Sequence, residues 1–412
     1  METYDVLVAG GGAAGLSLAY RLADSRWAGL RIAVIEAEAK EGNDRTWCFW
    51  EQGQGPFESL LTFRWDRMDF IGHLGKRIPL DLQPYAYKML RSADFYAHCH
   101  KVLDDAPHIH RIQDRVTGYG HGVGDAVLVQ MQQNSVQAPL VFASTPLEGA
   151  LEEARRGLWL NQHFKGYFLA SEEPVFAGLT ARLMDFRVEQ AGGYPCFVYV
   201  LPTDAYHALV EYTVFSPEAW GTEAYNTPLH GYMAEHLGLQ AKYQVLHTEY
   251  GQIPMTDYDF AAAWRCRYPD LNGLIPIGTM GGLGRPSTGY TFTNIQRHCE
   301  TILHELADQT KLSESRNNLR NGGSSHHASQ RFRPEIPKRF KTYDATLLRV
   351  LQEQRYPGCA LYERLFARNR TADLLAFLDG VSLWWQEIPI MNSTPRVPMA
   401  LALWKEWHRG RA

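Results

Sequence analysis

The sequence predicts an α/β fold that combines a doubly wound, Rossmann-like domain, an inserted antiparallel-sheet domain and a helical C-terminal part. Three observations predict it. A strand–turn–helix–strand unit occupies residues 5–35, strands rich in Val, Tyr, Phe and Thr follow between about 164 and 250, and apolar residues recur at helical spacing after residue 345. The first pattern is typical of nucleotide-binding βαβ units, and the second is typical of an antiparallel sheet.

Length and composition agree with a globular protein of several domains. The chain has 412 residues, which suits two or three domains of about 150 residues each. Apolar residues make up 45% and charged residues 21%, so wholesale disorder is excluded, and a net charge of −4 disfavours nucleic acid as a partner. The six cysteines form no C-x-x-C pair and the histidines show no metal-ligand pattern. We therefore expect a cytoplasmic protein without a bound metal.

The turn after the first strand carries the glycine spacing of a dinucleotide site. Residues 10–15 read G-G-G-A-A-G and satisfy G-x-G-x-x-G between a strand and a helix. Gly10 allows the tight turn, Gly12 lets a pyrophosphate approach the backbone, and Gly15 lets the helix pack closely on the sheet. Ala13 and Ala14 open the helix, whose N–H groups and dipole attract phosphate.

The acid that ends the second strand narrows the choice of dinucleotide. Glu36 follows Gly15 by 21 residues, where a carboxylate accepts hydrogen bonds from an adenosine ribose. An acid here disfavours a 2′-phosphate, so FAD or NAD is favoured over NADP at this site.

A second glycine-rich turn favours FAD over NAD. Residues 278–293 read G-T-M-G-G-L-G-R-P-S-T-G-Y-T-F-T and open another helix. A flavin enzyme uses such a helix N-terminus at the pyrimidine edge of the isoalloxazine, where reduced flavin carries negative charge. The candidate contacts are Gly278, Pro286, Thr288 and Gly289, of which Thr288 and Gly289 would offer backbone N–H groups. The alternative is a surface turn that precedes an ordinary helix.

Further motifs occur in the order found in one enzyme family. They are N-D-R-T-W-C-F-W (43–50), Q-H-F-K-G (162–166), M-D-F-R (184–187), F-V-Y-V-L-P-T-D-A-Y-H-A-L-V-E-Y-T-V-F-S (197–216), G-Q-I-P-M (251–255), P-S-T-G-Y-T-F (286–292) and F-L-D (377–379). With the glycine turns, they make the chain resemble the FAD-dependent lycopene cyclases, in particular the bacterial lycopene β-cyclases, over nearly its whole length. Two features depart from that pattern. Plant relatives carry two adjacent glutamates where this chain has Glu211-Tyr212-Thr213, and residues 311–330 lack a counterpart.

The resemblance implies an FAD-binding domain and a redox-neutral reaction on a carotenoid. An acid protonates the terminal double bond of an acyclic ψ-end of lycopene, the neighbouring double bond closes a ring, and proton loss leaves a β-ionone group. FAD acts in its reduced form, and NAD(P)H is the reductant. The number of rings closed, β- or γ-type product, the choice of NADH or NADPH, the oligomeric state and the final proton acceptor stay open.

Three charged side chains are candidates for this chemistry. Glu211 lies in a strand of apolar residues, which raise the pKa of a carboxyl and keep it protonated as an acid, although strand alternation also allows it to face outward. Asp185 is the second catalytic candidate, with a structural ion pair to a neighbouring arginine as the alternative. Arg45 is a candidate contact of the flavin or its phosphates, with a solvated surface position as the alternative.

The motifs divide the chain into five parts. Strands at 127–129 and 140–142 either extend the first sheet or form an added hairpin. We predict the first part of the FAD-binding domain at 1–163 (with some substrate-domain residues near 64–94), the antiparallel substrate domain at 164–260, the second part of the FAD-binding domain at 261–310, a polar loop or insertion at 311–333 and a helical C-terminal region at 334–412.

A carotenoid substrate implies contact with a membrane. Residues 331–341 carry five basic side chains among apolar ones, and 400–409 read as a short helix with two tryptophans. Both compositions suit a lipid interface, so we expect peripheral membrane association. A solvated charged stretch and an ordinary terminal helix are the alternatives.

Three rival functions stay open on the sequence. A flavin monooxygenase, which uses NAD(P)H and oxygen, has the same general architecture. The others are a family relative that cyclises a non-carotenoid polyene and a flavin-binding protein without catalysis. The motif at 43–50 and the position of Glu211 in its strand favour the cyclase.

Overall fold

A computed structural model describes residues 1–240, 242–312, 331–334 and 336–409 of the chain. Within these residues the backbone forms four sheets and a set of α-helices. The strands are β1 (Glu2–Thr3), β2 (Val6–Ala9), β3 (Ile32–Glu36), β4 (Thr46–Gln52), β5 (Phe63–Trp65), β6 (Arg67–Ile71), β7 (Arg77–Asp81), β8 (Tyr85–Arg91), β9 (Ile109–Gln113), β10 (Val116–His121), β11 (Val127–Met131), β12 (Ser135–Ala138), β13 (Leu140–Ala143), β14 (Trp159–Ser171), β15 (Arg182–Asp185), β16 (Cys196–Pro202), β17 (His207–Ser216), β18 (Tyr243–Thr256) and β19 (Leu274–Pro276). The helices are α1 (Ala13–Leu22), α2 (Ser92–Asp104), α3 (Ala150–Ala154), α4 (Asn226–Leu237), α5 (Phe260–Arg267), α6 (Phe292–Leu312), α7 (Lys338–Gln352), α8 (Gly358–Arg368), α9 (Thr371–Leu378), α10 (Trp384–Ser393) and α11 (Arg396–Arg409).

A five-stranded parallel sheet of order β19-β13-β2-β3-β9 forms the Rossmann-like domain. Its strands are short apolar runs, as expected when both faces of a parallel sheet are covered. Val6 and Phe142 face α1, α2 and α6, whereas Leu7 and Val141 face α5 and a four-stranded sheet of order β1-β12-β11-β10. The predicted fold class is confirmed, and a strand from residues 274–276 closes one edge of this sheet.

The two strands whose place the sequence left open go to different sheets. Residues 140–142 lie in β13 of the parallel sheet, whereas 127–129 lie in β11 of the four-stranded sheet. One segment therefore extends the first sheet, and the other belongs to a hairpin that covers it.

A seven-stranded sheet of order β18-β14-β17-β16-β15-β6-β7 forms the second layer of the molecule. Its pairs are antiparallel except for β15 and β6. Strands β6 and β7 come from the region near 64–94, and β14 begins at Trp159, ahead of residue 164. One face of the sheet packs on α4. The opposite face shares a core with the C-terminal helices.

The C-terminal part is helical from α7 to α11, as predicted. Most of the predicted polar loop, residues 313–330, lies outside the described residues. Its first two residues belong to α6, and Phe332 near its end is buried against Phe142.

Candidate active site

A cavity of about 650 Å³ opens at the carboxyl ends of the parallel strands. Strands β2, β3, β13 and β19 end beside it, which is where open α/β sheets bind ligands. The predicted cofactor residues that line it are Gly10, Gly12, Ala13, Ala14, Glu36, Arg45 and Gly278. The first glycine turn therefore lies at the mouth of a cavity large enough for part of a dinucleotide. This cavity is called the nucleotide cavity.

The three motif glycines differ in what their missing side chains allow. Gly10 has φ of +108°, and a Cβ there would collide with Ser144 Oγ. A Cβ on Gly15 would overlap the carbonyl oxygen of Gly10, so this glycine permits the close approach of α1 to the turn. Gly12 has no atom within 4 Å of the position of a Cβ. The backbone at Gly12 is thus open to the nucleotide cavity, as a pyrophosphate requires.

Glu36 presents its carboxylate at the same mouth. Its Oε2 accepts a hydrogen bond from the Gly11 N–H at 2.5 Å, and its Oε1 accepts one from the Glu38 N–H at 3.1 Å. These bonds hold the carboxylate at the end of β3, where its remaining lone pairs suit the hydroxyls of a ribose.

The second glycine-rich turn is only partly arranged as predicted. Thr288 and Gly289 line a second cavity, of about 340 Å³, whereas Pro286 lines a separate one. The backbone N–H groups of Thr288 and Gly289 both donate to the carbonyl oxygen of Arg285, at 3.2 and 2.8 Å. Their N–H groups are therefore engaged within the turn, while both residues line the cavity, so their contact with a flavin stays a prediction. The first turn of α6, beginning at Phe292, supplies helix N–H groups instead.

The two cavities adjoin. Both are lined by Ala13, Asp44, Arg45, Trp47, Thr279 and Ile295. A dinucleotide in the nucleotide cavity would extend toward the second one, and the exposed Arg45 lies at the junction. In the second cavity, the amide oxygen Oε1 of Gln162 is buried without a hydrogen-bond partner among the described residues. It lies 2.5 Å from the position of a Cβ on Gly289, so a glycine is needed there.

One face of the seven-stranded sheet forms the wall of the second cavity, called the catalytic cavity from here on. Alternate residues of four strands point into it, because successive side chains of a strand face opposite sides. They are Gln162 and Phe164 of β14, Tyr199 and Leu201 of β16, Leu209 and Glu211 of β17, and Glu249, Gly251 and Ile253 of β18. Glu211 thus faces a cavity, while Tyr212 beside it packs toward α4.

Strand register brings a second carboxyl to this wall. Glu211 of β17 and Glu249 of β18 are both paired with Gly166 of the intervening strand β14. Tyr199 of β16 pairs with Glu211 on the other side. Residues paired in this way share a sheet face, so Glu249, Gly166, Glu211 and Tyr199 form one row. With glycine in the middle, no side chain separates the two glutamates.

Burial controls the protonation of both carboxyls. Burial and the charge of Glu249 raise the pKa of Glu211 to about 8, and the hydrogen bond donated by Thr213 Oγ1 only partly offsets this. Burial also raises the pKa of Glu249. Hydrogen bonding by Thr46 and the positive charges of Arg45 and Arg91 lower this pKa and partly offset the effect of burial. Glu211 is therefore a protonated acid at neutral pH. Glu249 is the carboxyl with cations, Arg45 and Arg91, nearby.

Three tyrosine hydroxyls close the far side of the catalytic cavity. Tyr290 Oη lies 3.0 Å from Tyr87 Oη and 3.5 Å from Tyr199 Oη. Burial raises the pKa of all three, and burial likewise raises the pKa of the Cys48 thiol beside them. These groups are neutral at physiological pH, so this side of the cavity presents hydroxyls and aromatic faces, while the charged Asp44 and Arg45 lie at the junction with the nucleotide cavity.

The structure does not bring Asp185 to the catalytic cavity. Its fully buried carboxylate accepts hydrogen bonds from Arg187 Nη2 and Tyr232 Oη, each at 2.6 Å, and Arg182 Nη1 lies 3.3 Å away. Although burial opposes it, these bonds lower the pKa of Asp185. Tyr232 belongs to α4, on the other face of the sheet. Asp185 therefore joins β15 to α4, the structural ion pair that the sequence left as the alternative.

Residues missing from the sequence-based site are Glu249, Tyr87, Tyr199 and Tyr290. Tyr199 and Tyr290 fall inside motifs that carried the resemblance, so the signal for them was present. Glu249 stands in β18 with apolar and polar neighbours, and only the pairing of β18 with β14 brings it to Glu211.

Among the described residues, no three His, Cys, Asp or Glu side chains cluster in a way that would hold a metal ion. Within the same parts of the chain, each helix lacks either the length or the hydropathy needed to cross a membrane.

The parallel sheet and the nucleotide cavity are those of a dinucleotide-binding protein, with a second cavity adjoining the first, and solved structures share this fold. One is a geranylgeranyl bacteriochlorophyll reductase-like protein of Thermoplasma acidophilum (TM-score 0.62, 16% identity, 97% of this chain and 99% of that one). Another is the p-nitrophenol 4-monooxygenase of Pseudomonas putida (TM-score 0.56, 15% identity, 93% of this chain and 100% of that one). A third is PqsL of Pseudomonas aeruginosa, described as a probable FAD-dependent monooxygenase (TM-score 0.55, 15% identity, 87% of this chain and 100% of that one). At these identities the likeness establishes the fold alone.

The chain belongs to the family described as lycopene cyclase protein, whose family model matches residues 5–403. The resemblance drawn from the motifs is thereby confirmed. Membership of this family indicates an enzyme, and its fold is the one shared with the solved structures above. Comparison with curated proteins finds no match.

Proposed function

We propose that the protein is an FAD-dependent lycopene β-cyclase, which closes the acyclic ψ-ends of lycopene or a related linear carotenoid into β-ionone rings. One observation carries the proposal. Glu211, a carboxyl that stays protonated at neutral pH, faces a largely apolar cavity adjoining the nucleotide cavity. A cation-forming cyclisation needs such an acid beside a bound flavin. The family of the chain supports the same chemistry.

The residues of the nucleotide cavity fit FAD. The open backbone at Gly12 and the N-terminus of α1 suit the diphosphate, and Glu36 suits the ribose. The unpaired Gln162 Oε1 offers an acceptor to a ring system with N–H groups. Arg45 at the junction suits the phosphates or the flavin. When bound and reduced by NAD(P)H, FAD supplies a delocalised negative charge that stabilises a cation without trapping it.

Glu211 supplies the proton in this proposal. It protonates the terminal double bond, and the tertiary cation is attacked by the neighbouring double bond to close a six-membered ring. The ring cation then loses a proton to give the β-ionone group. One proton enters and one leaves, so substrate and product are isomers and no electrons are transferred.

The remaining wall of the catalytic cavity suits a cation that must not meet water. Aromatic faces stabilise positive charge, and apolar side chains exclude the solvent that would add to it. The side chains of this kind that line the cavity are Trp47, Tyr87, Phe164, Tyr199, Leu201, Leu209, Tyr290 and Phe292.

The direct test is an anaerobic reaction of the holoenzyme with lycopene and NADPH. We expect cyclic product to accumulate far beyond the small amount of NADPH consumed in reducing the flavin. Product formation that requires oxygen, or that consumes one NADPH per product, would reject the proposal.

A flavin monooxygenase is the second candidate, because two of the structures that share the fold are described as monooxygenases. Such an enzyme needs oxygen and NAD(P)H in every turnover. We favour the cyclase because a cation-forming cyclisation requires a protonated carboxyl such as Glu211 to start it. A relative that cyclises another polyene would need the same acid, and would leave lycopene unchanged in the anaerobic test while converting the other polyene.

Peripheral attachment to the cytoplasmic face of a membrane belongs to the same proposal. Most large apolar side chains that the described chain exposes lie between Val381 and Trp407, on α10, on α11 and in the segment just before α10. Trp384 and Trp404 are 66% and 59% exposed. Arg339 Nη2, in the basic start of α7, donates to the carbonyl oxygen of Ser382 at 3.0 Å. Tryptophans beside basic residues suit an anionic lipid interface.

Vesicle flotation tests this attachment. We expect the protein to float with vesicles of mixed anionic and zwitterionic lipid, and Trp384→Ser with Trp404→Ser to reduce the floating fraction several-fold. Tyr206→Ser, at a separate exposed position, is the control. Equal flotation of all three proteins would contradict the assignment of this surface.

A further inference from the structure

Glu211 and Glu249 are two of the three carboxyl groups that line the catalytic cavity in the described parts of the chain. The ionisable side chains around them there are Asp44, Arg45, Cys48, Tyr87, Arg91, Tyr199, Tyr250 and Tyr290. The Cys48 thiol and the hydroxyls of Tyr87, Tyr199 and Tyr290 hold their protons, since burial raises the pKa of each. The Tyr250 hydroxyl donates to the carbonyl oxygen of Trp220 at 3.2 Å. The carboxylate of Asp44 accepts a hydrogen bond from Tyr96 Oη at 2.9 Å and lies 3.2 Å from Lys40 Nζ. These partners make Asp44 a poor base.

Gly166 is what makes the pair possible. Strands two apart in a sheet lie about 10 Å from each other, a gap that any side chain on the middle strand would fill. A Cβ on Gly166 would lie 3.2 Å from Glu211 Cβ and 3.1 Å from Leu209 Cδ1. The glycine therefore leaves open the space between the two carboxyls, on the face where the substrate end would lie.

We propose that Glu249 is the base that takes the proton lost by the ring cation, so that Glu211 and Glu249 share one proton at the start and at the end of each cycle and hold none while the substrate is a cation. This rests on the proposed cyclase function and names the proton acceptor that the function requires. The charges of Arg45 and Arg91 favour the ionised form of Glu249. Within the described parts of the chain, no cation acts on the Glu211 carboxyl. The proton therefore begins on Glu211.

The steps balance without any further reagent. The O–H bond of Glu211 breaks as a C–H bond forms at the less substituted carbon of the terminal double bond. The other carbon of that bond becomes the tertiary cation, and Glu211 becomes a carboxylate. After ring closure a C–H bond of the ring cation breaks, its electron pair becomes the ring double bond, and the proton binds Glu249. Transfer of that proton from Glu249 to Glu211 restores the starting state. No atom or electron is gained or lost by the pair.

The variant Glu249→Gln separates this role from a structural one. In the reduced holoenzyme with lycopene, we expect cyclisation to slow by about 100-fold or more, as general-base loss does. Because the neighbouring negative charge is gone, Glu211 should titrate at lower pH, and the alkaline limit of any residual activity should move down. Glu172→Gln, an exposed glutamate just past the end of β14, is the matched control and should behave as the wild type.

A second readout needs no substrate. Infrared difference titration of the holoenzyme follows the protonated carboxyl of Glu211, identified by its absence in Glu211→Gln. We expect its midpoint to fall in Glu249→Gln and to stay unchanged in Glu172→Gln. If the wild type fails to cyclise lycopene, the proposed function is wrong, whatever the titration gives. If the wild type cyclises lycopene while Glu249→Gln has the wild-type rate and an unshifted midpoint, the role of Glu249 is wrong.

Discussion

Thr213 Oγ1 donates a hydrogen bond to Glu211 Oε1 at 3.0 Å, from the same face of β17. Burial and Glu249 raise the pKa of Glu211, whereas this bond lowers it. The hydroxyl thus limits how strongly the acid holds its proton. An acid whose pKa lies close to the working pH donates and recovers a proton most readily.

Replacing Thr213 with valine should raise the pKa of Glu211 further, because the ionised carboxylate loses a donor. We expect the alkaline limit of cyclisation to move to higher pH and the free energy of unfolding to fall by about 1 kcal/mol. The pH dependence of the cyclisation rate checks the first expectation, and urea unfolding checks the second. Thr248→Val, at an exposed position of β18, serves as the control. An alkaline limit that stays in place or moves down would contradict the role of the hydroxyl.

The protonated state of Glu211 also predicts a pH dependence of stability. Its pKa is about 8 in the folded protein against 4.5 for the ordinary group, so the unfolded chain binds fewer protons between these values. The contribution of Glu211 to the free energy of unfolding therefore decreases as the pH rises from about 4.5 to about 8. We expect Glu211→Gln to gain stability relative to the wild type across that range, measured by urea unfolding. A constant difference between the two proteins would contradict a raised pKa.

Gly166→Ala should disturb the catalytic cavity without adding charge. The new Cβ would lie within 3.3 Å of Leu209 Cδ1 and of the Cβ and Cγ of Glu211. Such crowding typically costs about 1–3 kcal/mol in a packed core, and here it also displaces the carboxyl. We expect a lower free energy of unfolding and slower cyclisation. Gly120→Ala, in β10 with open space around it, is the control. Wild-type activity in Gly166→Ala would show that the gap has no function.

Gly12→Val separates cofactor binding from folding. Since a Cβ at Gly12 meets no atom within 4 Å, the protein should fold with the melting temperature of the wild-type apoprotein. The side chain would occupy the nucleotide cavity, so we expect at least a 100-fold loss of FAD affinity, measured by fluorescence quenching. Gly221→Val, also free of neighbours within 4 Å, should bind FAD normally. Normal FAD affinity in Gly12→Val would mean that the flavin lies elsewhere.

Local patterns explain how much of this protein the sequence could predict. The glycine turn at Gly10 and the apolar strand around Glu211 each depend on neighbours within a few residues, so both could be read directly. Pairing of β14 with β17 and β18 depends on contacts between residues about 40 to 100 positions apart in the sequence. For that reason Glu249 could not be found from the sequence. Likewise, Asp185 was separable from the site only once Tyr232 of α4 was seen beside it.

The second glycine-rich turn was also only partly predictable from the sequence. Its composition predicted a helix N-terminus near a cavity, which the structure has. The composition did not indicate that Thr288 and Gly289 both donate to the carbonyl oxygen of Arg285. Which N–H groups remain available in a turn depends on its backbone geometry, and several geometries suit the same glycines.

The rate of ring closure against pH, in a single turnover of the reduced holoenzyme with lycopene, tests the central claim most directly. We predict that the rate falls as pH rises through about 8, where Glu211 loses its proton. In Glu211→Gln we predict a loss of about 100- to 10,000-fold at every pH. A rate independent of pH between 6 and 10, or ring closure by Glu211→Gln at the wild-type rate, would contradict the assignment of Glu211 as the acid.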